Sequence, residues 1–179
     1  MMNAAAPARA DETFWENSVW SVETATNDNG PYCLALRLMS RKVDGADRSL
    51  AVIYQAQIHS AGLAFTTDTT TSLPSEGDVD LKLFFSAAGR NDVDDGWGTR
   101  SFHYTRGETG YNFMAVFEGA ENARQLLDDI AAYSTLGMFT QRDVVVYASP
   151  LDGSAQAMTQ LRRCAFQVAG LNPEDPFLQ

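Results

Sequence analysis

Apolar and polar residues alternate in short runs over the first two thirds of the chain, and from Glu121 onward the apolar period lengthens to three and four. The pattern predicts strands first and helices last. The first run is Val19-Trp20-Ser21-Val22, and the turn cluster Asn27-Asp28-Asn29-Gly30-Pro31 separates it from a strand over Tyr32 to Met39. Asn29-Gly30 supplies the positive φ that a tight hairpin turn requires. Tyr32, Leu34, Leu36 and Leu38 then share one face of that strand, and Cys33, Ala35, Arg37 and Met39 the other.

A charged loop, Arg41 to Arg48, leads into a third strand from Leu50 to about Ile58, followed by a shorter one from Gly62 to Thr67. After the turn-rich Leu73-Pro74-Ser75-Glu76-Gly77, Val79, Leu81, Leu83 and Phe85 alternate with Asp78, Asp80, Lys82 and Phe84. One dry face and one wet face favour an antiparallel sheet covered on a single side. Beyond the loop Ala87 to Thr99, strands over Arg100 to Arg106 and Gly110 to Glu118 form a second hairpin with aromatic faces: Phe102 and Tyr104, then Tyr111, Phe113 and Phe117.

Ala123, Leu126, Leu127, Ile130, Ala131 and Ser134 lie at helical spacing and predict an amphipathic helix from about Glu121 to Ser134, with Gly137 as its stop. The run Val144-Val145-Val146-Tyr147 reads as a short buried strand over Asp143 to Ala148, ended by Pro150. A second helix runs from about Ser154, read as its cap, to Val168, with Ala157, Met158, Leu161, Cys164, Ala165 and Val168 inward and Gly170 closing it. The expected fold class is α+β: a mainly antiparallel sheet or sandwich of about seven or eight strands, with two helices in the C-terminal third packed on it.

The 179 residues, 45% hydrophobic and 11% aromatic, suffice for one core. The organisation expected is a signal-peptide remnant or flexible arm over 1–10, a single β-rich domain over 11–170 and a flexible tail over 171–179. A formal net charge of −10 disfavours nucleic acid and anionic lipid as partners, since both call for a basic patch. No run reaches the length of a membrane-spanning helix.

The two cysteines, Cys33 and Cys164, read either as a disulfide closing most of the chain or as two buried thiols that pack as small hydrophobes. Ala8-Arg9-Ala10 before Asp11 fits the small-x-small end of a secretory signal, so peptide and cysteines together point to a periplasmic or secreted protein with the bridge formed. Such a bridge would connect the non-leucine face of an early strand to the inner face of the last helix.

Candidate chemistry is sparse. His59 and His103 are the histidines, and neither sits in a nucleophile or metal motif. Dinucleotide and phosphate-loop glycine patterns are absent, and no cofactor is expected. Asp92, Asp94 and Asp95 beside Gly96 form an acidic turn that only weakly resembles a calcium loop, because the spacing of oxygen ligands fails. Trp97, between Gly96 and Gly98, is either an exposed recognition residue or packed back on the sheet. Tyr104, Phe113 and Phe117 are either core or the wall of an apolar cavity. These four aromatic residues are the candidate binding set.

The tryptophan-led strand at Trp20, the early Cys33, the sheet, the helix and the final Leu151-Asp152-Gly153-Ser154-Ala155-Gln156-Ala157-Met158 leading to Leu161 and Cys164 carry a resemblance. It is architectural and spans most of the chain. The chain resembles small exported bacterial proteins of the invasion-associated-locus-B kind, and periplasmic accessory proteins of type VI secretion that end in a comparable Gly-led helix. The resemblance implies an exported β-rich interaction module, acting on another protein or an envelope component, with no catalytic residues to carry over. A small apolar-ligand carrier is the alternative, and an enzyme the third class.

Overall fold

A computed structural model of the chain describes residues 12–37, 49–67, 73–87, 93–94, 97–108 and 110–172. The first strands are β1 (Glu12–Glu16), β2 (Trp20–Asn27), β3 (Gly30–Arg37), β4 (Leu50–Gln55) and β5 (Ser60–Thr67). They are followed by β6 (Glu76–Ser86), the two-residue β7 (Val93–Asp94), β8 (Thr99–Arg106) and β9 (Tyr111–Glu118). Helix α1 (Ala120–Ala132), β10 (Thr135–Phe139), β11 (Val145–Pro150) and α2 (Ser154–Val168) complete the order.

Among the described residues, all eleven strands belong to one sheet, in the order β1-β2-β3-β4-β5-β9-β8-β6-β10-β11 with β7 on β6, and every pairing is antiparallel. The α+β class and the two C-terminal helices on the sheet stand as read from the sequence, with more strands than the pattern revealed. The β2–β3 hairpin closes where expected, with Gly30 at φ +105° and the Asn27 side chain accepting a hydrogen bond from the Asn29 amide at 2.8 Å. Only a residue without Cβ takes such a φ freely.

The sheet is far from flat. Phe65 of β5 and Tyr147 of β11 lie with ring centroids 4.8 Å apart, although β9, β8, β6 and β10 separate their strands. At about 4.8 Å per strand, a planar sheet would hold them more than 20 Å apart. This half of the sheet therefore rolls over on itself and fills its interior with Phe65, Phe102, Phe113, Leu81 and Leu83. The helices cover the rest: α2 packs on β2 and β3 in the other half, and α1 on β5 and β9, where the roll begins.

The Cys33–Cys164 disulfide fixes α2 to that cover, with Cα atoms 6.1 Å apart across a sequence separation of 131. Both cysteines are fully buried. Cys33 shares its face with Ala35, and these small side chains let the helix approach the strand closely. Tyr32, Leu34 and Leu36, the row that periodicity singles out, point instead to the outer side of the sheet, where they form a small separate cluster with Ala25 and Ile53.

Several local expectations are corrected. The third strand ends at Gln55, and Ala56–Ile58 form a single 3-10 turn. Gly137 does not stop a helix; it lies in mid-β10, where Leu136 and Met138 on either side are fully buried. The Val144 to Ala148 run is no buried interior strand, because β11 ends the sheet and leaves Val144 and Val145 60% and 55% exposed. Ser154 does not cap α2. Gly153, at φ +76°, holds the cap position, and the Ser154 hydroxyl donates instead to the Ile130 carbonyl of α1 at 2.6 Å. Leu171 belongs to the domain rather than to a tail: its amide donates to the Phe166 carbonyl at 2.9 Å and its side chain packs on the core. Residues 1–11 and 173–179, where a signal-peptide remnant or flexible arm and the rest of the tail are expected, lie outside the described residues.

Candidate interaction surfaces

The candidate aromatic residues are core, in two pairs: Tyr104 with Phe113, and Trp97 with Phe117. Phe113 stacks on Phe65 at 4.8 Å with the rings nearly parallel, Tyr104 tilts against Phe113 at 5.8 Å, and Tyr111 meets Tyr104 edge-on at 5.9 Å. The alternation of β8 and β9 places Phe102, Tyr104, Phe113 and Phe117 on the inner face of the rolled half, where each is buried. Side chains fill this region, and aromatic stacking contributes beyond area burial by about 0.5–1.5 kcal/mol per pair.

Trp97 is packed back, at 4% exposure. Its indole N–H donates to the Asp129 carboxylate of α1 at 2.7 Å, its ring meets Phe117 edge-on at 5.1 Å, and the Arg100 guanidinium lies 5.5 Å from the ring centroid. Trp97 thus ties the strand ahead of it to α1, and its polar handle is used internally. Asp92 and Asp95 lie outside the described residues, as does the side chain of Asp94. Among the described residues, no three His, Cys, Asp or Glu side chains come together as metal ligands.

The histidines lie apart. His59 follows the 3-10 turn in a left-handed conformation (φ 48°) and is exposed. His103 faces Asp78 across the β6–β8 pair, with Nδ1 3.0 Å from the carboxylate, and Nε2 lies 3.6 Å from Glu76. The three side chains sit on the outer face of the sheet, opposite the core. A histidine beside a carboxylate is half of a hydrolytic arrangement, but catalysis also needs a nucleophile held on the other ring nitrogen. Here the second nitrogen faces a carboxylate.

The helices hold each other through Arg162, which pairs with Asp128 and donates to the Arg124 carbonyl. Arg162 also acts on Tyr54, whose ring meets Phe166 edge-on at 6.2 Å. Burial pushes the Tyr54 hydroxyl above its ordinary pKa of 10.0, and the Arg162 charge pulls it back by less. The folded chain then holds the Tyr54 proton more tightly than the unfolded chain. This contribution to stability is complete below pH 10 and is lost as pH rises above it. In urea titrations across pH, Tyr54→Phe should keep a constant stability difference from the parent up to about pH 9 and gain on it above pH 10. A pH-independent difference would mean that Tyr54 ionises alike in both states.

Two surface features remain. A half-open crevice of about 430 Å³ lies between the start of β1, the β2–β3 hairpin and the end of α2, lined by Phe14, Ala25, Pro31 and Val168 together with threonines, Glu12 and Gln167. The second was not foreseen from the pattern as a surface: the outer side of β3, β4, β5 and β9. There the register aligns Leu34, Ile53, Gly62 and Val116 in one row and Leu36, Ala51, Ala64 and Met114 in the next. Val116 is 39% exposed, and Ile53, Leu36, Ala64 and Met114 are half-buried. The alternation of Leu34 and Leu36 in β3 carried this signal, but read alone it is indistinguishable from a core face. No helix among the described residues is long and apolar enough to cross a membrane.

No family model, curated protein or solved structure matches this chain.

Proposed function

We propose that this protein is an exported, periplasmic or secreted, non-catalytic binding or accessory module that engages another protein or an envelope component through the outer face of its sheet. The observation that carries the reading is the apolar double row across β3, β4, β5 and β9, on the side opposite the helices. A sheet with one face on its own core ordinarily presents polar residues on the other. Contiguous apolar surface on the second face is characteristic of an interaction site.

The disulfide supports an oxidising compartment, since such bridges persist outside the reducing cytosol. The resemblance to exported β-rich proteins of the invasion-associated-locus-B kind, and to periplasmic accessory proteins of type VI secretion, points the same way.

A photo-crosslinking amino acid placed at Val116, with a control at the exposed Arg163 on α2, tests this in the cells that make the protein. The expected result is a crosslink to one envelope or exported protein from position 116 and none from 163. Equal labelling at both positions, or none at either, counts against the outer face. Native mass spectrometry of the same preparation separates the alternative: a bound small molecule and no protein partner would favour a ligand carrier, with the 430 Å³ crevice as its site.

A further inference from the structure

We propose that the partner of the outer sheet face is a protein segment whose apolar residues are flanked by lysine or arginine, received on an apolar strip with carboxylates at both of its ends. The inference rests on the outer-face reading and narrows it, from any protein or envelope component to a basic, apolar protein surface.

The strip and its ends share one register. Leu36, Ala51, Ala64 and Met114 stand side by side on β3, β4, β5 and β9, and the same row runs on through His103 of β8 to Asp78 of β6. Glu76 and Asp80 lie two positions to either side of Asp78 on the same face, and all three carboxylates are exposed. At the far end Glu23 of β2 stands beside Leu34, which opens the row of Leu34, Ile53, Gly62 and Val116. The exposed Glu118 comes two residues after Val116 along β9.

Few cations offset this rim. By the alternation of the strands, Lys82 is the sole lysine or arginine at an outer position of β2 to β6, β8 and β9 among the described residues, and Asp143 already engages it at 2.7 Å. His103 faces Asp78 and Glu76, while Glu23, Asp80 and Glu118 make no ion pair among the described residues. Carboxylates around an apolar patch repel phosphate-bearing lipid and attract lysine and arginine, so charge selects a basic protein over an anionic membrane surface. The two ends stand six strand spacings apart in the sheet order, roughly 29 Å along the surface. The basic residues of the partner must therefore flank its apolar ones rather than alternate with them.

The photo-crosslinking residue at position 116 is the probe, with mass spectrometry of the crosslinked peptide. The expected result is one partner segment with lysine or arginine on both sides of its apolar residues. Crosslink yield should fall at least about threefold in Glu23→Gln, in the Asp78→Asn, Asp80→Asn pair, and in the parent at about 0.5 M sodium chloride. The Glu121→Gln, Asp152→Asn pair removes the same charge as the aspartate pair, from the helix side, and should leave the yield unchanged. Circular dichroism and an intact disulfide check that each variant is folded. A crosslink at 116 that is indifferent to the rim variants, falls equally in the helix-side pair, or joins a segment without lysine or arginine overturns the basic partner and leaves the outer-face reading standing. No crosslink at 116 removes that reading and this inference with it. Flotation of the parent chain with phosphatidylglycerol vesicles would assign the face to lipid and overturn the proposal.

Discussion

Loss of the Cys33–Cys164 bridge is expected to lower the folding stability of the chain by about 3–5 kcal/mol. Chain-entropy arguments make the effect grow with the length enclosed, and a separation of 131 residues is close to the whole domain. The corresponding value is about 5 kcal/mol, the upper end of what native bridges deliver. The released thiols do not leave a hole. Cys33 and Cys164 are fully buried, and as small hydrophobes they keep their contacts with Ala35 and the inner face of α2. The folded structure should therefore survive reduction, with the loss arising in the greater freedom of the unfolded chain.

In a domain of this size each kcal/mol moves the thermal midpoint by about 2–4 °C, so reduction should lower it by roughly 6–20 °C. Thermal and urea unfolding of the oxidised chain, the reduced chain and the Cys33→Ala, Cys164→Ala double variant measure this directly. The urea dependence should steepen in the unbridged forms, because the freed unfolded chain exposes more surface. Coincident midpoints with and without the bridge would show that α2 is held by packing alone. A chain whose total stability lies at the lower end of the usual range of about 5–15 kcal/mol would be marginal without the bridge.

What the sequence made legible follows from how far each signal reaches. Where one strand has one dry face, alternation alone locates it, as for β6 with Leu81, Leu83 and Phe85 inside and Asp78, Asp80 and Lys82 outside. The α2 inner face was equally plain, and the disulfide joined the two faces that the spacing of Cys33 and Cys164 indicated.

Periodicity failed where the deciding partner lies far away in sequence. β1 escaped notice because adjacent Phe14 and Trp15 break the alternation at its bulge. Gly137 resembled a helix stop, yet a Cβ there would come within 2.7 Å of the Phe139 ring, which explains a glycine inside a strand. Three consecutive valines say strand but not whether a neighbour lies on each side, so β11 read as interior. The leucines of β3 outrank Cys33 and Ala35 in hydrophobicity, but the helix chose the side with small residues. Residue type also could not separate core from surface for Trp97, Tyr104, Phe113 and Phe117, since the roll of the sheet decides that.

The roll has a testable centre in Phe65. Its ring stacks on Phe113 at 4.8 Å, meets Phe102 edge-on at 5.7 Å, and touches Tyr147 from across the interior. No other ring pairing among the described residues spans so many intervening strands. Phe65→Ala removes a fully buried phenyl group from a site bounded by strands that are themselves hydrogen-bonded in register, so the walls can close only partly. A Phe-to-Ala truncation in a core costs about 3–5 kcal/mol, the transfer term plus the cavity it leaves. Phe65→Leu should cost less, about half of that, because most of the volume is kept while the stacking is lost.

The two variants should also differ in where the loss is felt. Tyr147 is the only β11 ring against Phe65, and hydrogen exchange of the β11 amides should accelerate in Phe65→Ala more than exchange of the β3 amides, which lie under the bridged α2. Uniform acceleration across β3 and β11 would mean that the rolled and helix-covered halves open together as one cooperative unit. Faster exchange confined to β10 and β11 would establish Phe65 as the contact that keeps the free edge of the sheet folded inward.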